Sequence, residues 1–136
     1  MVAERAVHAH QCLFPREWGR EPFYTTLPRE RLEGAGDVHA LGATLAWQPA
    51  AHGPRLEAGY GYFNLAPEAR LNKYCLPDFH QLNLSLTHSF AGSAEGLRLR
   101  TLYVAKRGAR RAAYSPASAI NKVDLHHLTL ALYYAF

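Results

Sequence analysis

The residues of this chain best suited to chemistry are arginines set two apart in alternating stretches. Arg98 and Arg100 stand in LRLRTLYVAK, where Leu97, Leu99, Tyr103 and Ala105 take the opposite side, and Arg55 stands with Glu57 in RLEAGYGYFN. In a strand, side chains at i and i+2 share a face about 7 Å apart. Two guanidinium groups so placed offer successive two-pronged contacts to a carboxylate. The plainer reading of the same residues is a charged strand face turned to water. Glu57 sets a carboxylate among them, either to tune which ions they accept or to pair with an arginine of a neighbouring strand.

Other chemistries find little support. There is no GxSxG, HExxH, phosphate loop or glycine fingerprint, and His80 and Ser85 fall on opposite faces of an alternating register. Neither an enzymatic activity nor a cofactor is expected. Adjacent His126 and His127 point to opposite faces of a strand, and His8 and His10 have no further ligand near them, so no metal site is expected. Cys12 and Cys75 lie far apart and form no CxxC pair, which reads as free thiols or a chance pair. The net charge is +4 and twelve of the fifteen basic residues are arginine. They are spread along the chain without a nucleic-acid-binding motif, so nucleic acid is not an expected partner.

The elements that carry these residues have a period of two. His126 to Phe136 (HHLTLALYYAF) collects Leu128, Leu130, Leu132, Tyr134 and Phe136 on one side and His127, Thr129, Ala131, Tyr133 and Ala135 on the other, the alternation of a strand whose two faces meet different surroundings. Four earlier stretches behave alike: Asp37 to Gln48, Arg55 to Asn64, Phe79 to Phe90 and Leu97 to Lys106. In the third, Leu82, Leu84 and Leu86 oppose Gln81, Asn83, Ser85 and Thr87, a pattern that cannot place both faces in one dry core. Gly59 and Gly61 mark close approach or curvature.

Short connections, PAAHGP and AGSAEG, alternate with longer ones, 65–78 and 107–121. That is the organisation of an up-and-down membrane barrel, with tight turns on the periplasmic side and long loops outside. Trp47, Tyr62, Phe90, Tyr103, Tyr134 and Phe136 fall toward strand ends, where amphipathic rings suit an interface. Residues 1–36 read mainly as loop with one strand placed near Phe23, and residues 37–136 as the strand-bearing part. Asn72, Lys73 and Tyr74 read as loop-folding residues. No stretch reaches the roughly 18 apolar residues of a membrane-spanning helix, so any membrane contact is made by strands.

The words FPREWGREPFYT, LPRERLEGAGDVHAL, LNKYCLPDFHQLNLSL, SFAGSAEGLRLRTLYVAK and NKVDLHHLTLALYYAF, in this order, resemble the carboxyl-terminal segments of OprD-type outer-membrane porins. The resemblance implies an all-β, antiparallel up-and-down transmembrane β-barrel, of which this chain supplies about five to six strands of eighteen. It implies a passive channel for small solutes, amino acids or small carboxylates, in the bacterial outer membrane. It further implies that Arg55, Glu57, Arg98 and Arg100 line the channel as part of an arginine ladder. Leu128, Leu130, Leu132, Tyr134 and Phe136 would carry the terminal signal read by the barrel assembly machinery. The expected partners are outer-membrane lipid, small-molecule solutes, that machinery and the remaining barrel strands.

The start, MVAERAVHAH, lacks the apolar run of a secretory signal, so the chain is expected to be the carboxyl-terminal part of something longer or a truncated reading frame. An open sheet leaves unpaired edges that hydrocarbon does not tolerate, so the polypeptide alone is not expected to conduct. The alternatives are a soluble all-β binding module with a basic surface, and a nonfunctional porin remnant.

Overall fold

A computed structural model describes residues 2–6, 27–30, 35–50, 53–66, 72, 75–109 and 122–135. They form one antiparallel sheet of six strands in sequence order: β1 (Val2–Ala6), β2 (Val38–Trp47), β3 (Arg55–Asn64), β4 (Phe79–Ser89), β5 (Leu97–Gly108) and β6 (Leu125–Tyr134). Each strand pairs with its sequence neighbours, so β1 and β6 are the edges of an open, up-and-down sheet.

The five strands expected from alternation are present, with β5 reaching Gly108, two residues past the expected end. The further strand is Val2–Ala6, which pairs with Val38 to Gly42 of β2. The neighbourhood of Phe23, where a strand was expected, lies outside the described residues, as do Cys12, Lys73, Tyr74, His8, His10 and Phe136.

Local chemistry accounts for the connections. Between β4 and β5 a single 3-10 turn, Gly92–Ala94, closes the hairpin, with Phe90 N–H donating to the Leu97 carbonyl at 2.9 Å. Gly96 has a φ of +88° and lies so close to Ala135 that a Cβ there would collide with the Ala135 carbonyl oxygen. Its own carbonyl accepts the Ala135 N–H at 3.0 Å, which ties the end of β6 to this turn. Only glycine meets both demands.

The longer connection from β3 to β4 is organised by two side chains. The Asp78 carboxylate accepts from the Leu65 N–H (2.9 Å), the Asn64 amide (3.0 Å) and the Tyr62 hydroxyl (3.2 Å). Asn72 donates to the carbonyls of Ala66 and Leu76 and accepts from the Leu76 N–H, satisfying backbone groups outside the strands. Asn72 is thus a loop-folding residue, and Cys75 is an exposed free thiol.

A small apolar cluster of Leu27, Phe63, Leu65, Phe79 and Val123 sits at the long-connection end of the sheet, where the Phe63 and Phe79 rings stack with centroids 4.7 Å apart. It covers only part of one face. The large apolar side chains of β2, β3, β4 and β6 mostly lie elsewhere.

Candidate functional site

The pairing register sorts the side chains into two faces. On one, here the outer face, the rows run Leu45, Ala58, Leu84, Tyr103, Leu128 and, one step along, Trp47, Leu56, Leu86, Thr101, Leu130. On the other, the inner face, they run Thr44, Gly59, Asn83, Val104, His127 and, toward the short turns, Arg55, Thr87, Arg100, Ala131.

The outer face exposes large apolar side chains, while the inner face buries polar amides beside the apolar Phe63, Phe79 and Val104. Gln81 is 0 % exposed and Asn83 4 %, whereas Leu45 is 74 % exposed and Leu130 71 %. Eleven of the twelve exposed large hydrophobic residues among those described lie on the outer face, Tyr133 being the exception. Burying one such side chain contributes about 1.5–3 kcal/mol, so leaving a contiguous set in water is strongly unfavourable. Contiguous apolar surface of this kind marks a membrane or protein contact.

The outer apolar band is also slanted. On β2 it comprises Leu41, Ala43, Leu45 and Trp47, and on β6 Leu128, Leu130, Leu132 and Tyr134. The Leu128 row meets β2 at Leu45, four residues below Leu41, and the Trp47 row meets β6 at Leu130, four residues above Tyr134. The band therefore slides one residue per strand at both its edges. Taking about 3.3 Å of rise against about 4.8 Å between strands gives a slant of about 35°.

The inner face has two parts. At the long-connection end, residues Leu27 to Glu30 lie across it. The Pro28 carbonyl accepts from the amides of Gln81 (2.9 Å) and Asn83 (2.8 Å), and the buried Lys106 ammonium pairs with the buried Glu30 carboxylate while facing the Phe79 ring at 5.1 Å. Gly59 and Gly61 make room for this strap: a Cβ on either would meet a Leu27 methyl at 2.9 or 2.8 Å. The close approach expected at these glycines is that of Leu27 to the wall.

At the short-turn end the inner face is open. A cleft of about 670 Å³ is lined by Arg55, Glu57, Thr87, Arg98, Arg100 and Tyr133 among others, and so contains all four residues expected to line a channel. They are not equivalent. Arg55 directs Nη2 (2.7 Å) and Nε (3.1 Å) at one Glu57 oxygen, while the Ser85 hydroxyl donates to the other at 3.2 Å. Glu57 is thus paired within its own strand, not with an arginine of a neighbouring one.

Arg98 donates from Nε to the Ser89 hydroxyl at 3.2 Å, and neither Arg98 nor Arg100 meets a carboxylate among the described residues. Both face the cleft, where the Glu57 carboxylate lies near enough to Arg100 to feel its charge. Guanidinium groups set in this way have the donor geometry to hold the two oxygens of a small carboxylate.

Two features had no sequence signal. The Lys106–Glu30 pair joins residues far apart in the chain, and the Tyr60 and Tyr103 hydroxyls meet Nδ1 of His80 and His126 at 2.7 and 2.6 Å on the outer face. Of the terminal residues, Leu128, Leu130, Leu132 and Tyr134 are all exposed on that outer face. His126 and His127 point to opposite faces, the first to Tyr103 and the second to Thr129 at 2.8 Å. No family model, curated protein or solved structure matches the chain.

Proposed function

We propose that this chain forms part of the wall of an OprD-type outer-membrane porin, its apolar face in hydrocarbon and its arginine-bearing face toward an aqueous path for small solutes such as amino acids or carboxylates. The observation that carries the reading is the contrast between the faces, with Gln81 and Asn83 buried and Leu45, Leu84 and Leu130 exposed. A lipid solvent removes the cost of the exposed band, and the amide nitrogens of buried Gln81 and Asn83 donate to the Pro28 carbonyl of the strap, leaving Gln81 Oε1 as the one atom of these two amides without a partner among the described residues.

The slant of about 35° supports a closed barrel, whose strands tilt by roughly 35–45° to the membrane normal. Strands β2 to β6 have 10, 10, 11, 12 and 10 residues, which suits the roughly 9–11 residues of a tilted membrane-crossing strand. In this reading further strands pair with the edges β1 and β6, because unpaired backbone is not tolerated in hydrocarbon.

Solute passage would follow from the cleft. Arg100 and Arg98 pass a carboxylate along the wall, Glu57 holds Arg55 back from the same task, and the Leu27–Glu30 strap narrows the path. The terminal residues Leu128 to Phe136 would meet the barrel assembly machinery. Dependence on detergent tests the reading: a membrane wall requires it to stay dispersed, whereas a chain that purifies without detergent as a cooperatively unfolding monomer contradicts it.

A further inference from the structure

The two ends of the outer band differ in chemistry. Following the slant, the residues just beyond its long-connection end are His39 on β2, Asn64 on β3, His80 on β4, Arg107 on β5 and His126 on β6. At the short-turn end the corresponding positions are Pro49, Pro54, Phe90 and Leu97, none of them charged. Every strand from β2 to β6 thus places a hydrogen-bond donor along one edge of the band, and the acids Asp37, Asp78 and Asp124 follow just outside it, two residues before His39, His80 and His126.

Two of the five are engaged by an acid. His39 pairs with Asp37 at 3.5 Å, and the Asn64 amide donates to Asp78. The other three sit side by side on β4, β5 and β6. Arg107 is directly opposite His80 in the register, exposed, and in no ion pair among the described residues. Asp124, which continues the β6 register opposite Arg107, accepts from the Gly108 N–H at 3.0 Å.

The two imidazoles are set alike. In each hairpin with a long connection a tyrosine hydroxyl reaches Nδ1 of the histidine diagonally across, Tyr60 to His80 and Tyr103 to His126, with ring centroids 5.9 and 6.0 Å apart. When the hydroxyl donates to Nδ1, or when the ring is protonated, Nε2 carries a hydrogen and is left as the ring's second donor. Beneath them on the same face runs a shallow apolar groove of about 450 Å³ lined by Leu45, Leu56, Leu84, Leu86 and Tyr103.

We propose that His80, Arg107 and His126 form a site on the membrane-facing rim for the phosphate of an anionic lipid headgroup, with the lipid's chain lying toward the Leu45–Leu84 groove. The proposal rests on the membrane-wall reading. A guanidinium flanked by two imidazole donors matches the oxygens and charge of a phosphate, and the tyrosines below it suit the level at which amphipathic rings meet lipid headgroups.

The test is binding of the full chain, from dilute detergent, to phosphatidylcholine vesicles with and without phosphatidic acid. The wild type prefers the phosphatidic acid vesicles. Arg107→Gln lowers that preference by about five-fold, the effect of one basic residue at an anionic surface, and leaves binding to phosphatidylcholine unchanged. Arg29→Gln removes the same charge from the inner strap and keeps the preference. Equal loss in both variants means net charge alone is sensed and overturns the site. Full competition by millimolar inorganic phosphate overturns the lipid as its ligand. Absence of binding to phosphatidylcholine by the wild type brings down the membrane reading itself, an outcome distinct from the other two.

Discussion

Gln81 and Leu82 are consecutive in β4, yet the amide of Gln81 is buried against Pro28 while Leu82 is 37 % exposed. On the proposed membrane-wall reading this reversal is what a lipid-facing sheet requires, with the polar amide held by protein partners and the apolar side chain turned to hydrocarbon.

A charge in the middle of the outer band tests the reversal. Leu84→Arg is expected to weaken association with phosphatidylcholine vesicles by about 2–4 kcal/mol, the cost of arginine near the bilayer midplane of a barrel. In a water-exposed sheet the same change stays within about 0.5 kcal/mol. Vesicle flotation across a urea series measures the difference.

The strap makes a packing prediction. Gly61→Ala sets a methyl against Leu27 and costs about 1–3 kcal/mol of strap docking, as overpacking does. Leu27→Ala in the same chain recovers most of it. A double-mutant cycle read by proteolytic cleavage near Pro28 shows strong coupling if the contact is as described, and additivity if it is not.

The Glu30–Lys106 pair makes another. Glu30→Gln leaves the Lys106 ammonium buried without its counter-charge, at a cost of roughly 3 kcal/mol, the low end for a broken buried pair because the Phe79 ring still faces the cation. Denaturant titration in detergent gives the value. Replacing both residues by apolar ones is expected to restore most of the loss.

The cleft predicts opposite effects from two neighbours. Arg100→Gln lowers the affinity for a small dicarboxylate by about ten-fold, the worth of roughly 1.4 kcal/mol, whereas Glu57→Gln raises it by releasing Arg55 from its 2.7 Å contact. Chemical-shift titration with glutarate separates them. As the only polypeptide in a planar bilayer, the open sheet is expected to give no uniform ohmic channels.

Alternation made β2 to β6 legible to within a few residues, since each carries a long run of period two, and β2 to β5 are closed by a nearby proline or glycine. It did not reveal β1, whose five residues VAERA are too few to establish a period and carry no turn residue beside them. Nor could it say which face is buried, because Leu82 and Gln81 alternate identically in either solvent. The cleft residues were legible because Arg55, Glu57, Arg98 and Arg100 share the polar side of adjacent hairpins. The strap was not, because Leu27 to Glu30 docks through contacts distant in sequence, and Gly59 and Gly61 marked the place without naming the neighbour. For Glu57 the sequence leaves both ion selectivity and pairing with a neighbouring strand's arginine open, and the partner it meets is Arg55, two residues away on the same face.

The most direct test is the environment of Trp47, exposed at the short-turn edge of the outer band. In a Trp18→Phe chain bound to phosphatidylcholine vesicles, Trp47 fluorescence is predicted to be quenched by bromines on the upper acyl chain and protected from aqueous iodide. Quenching by iodide with no effect of brominated lipid would contradict a lipid-facing wall.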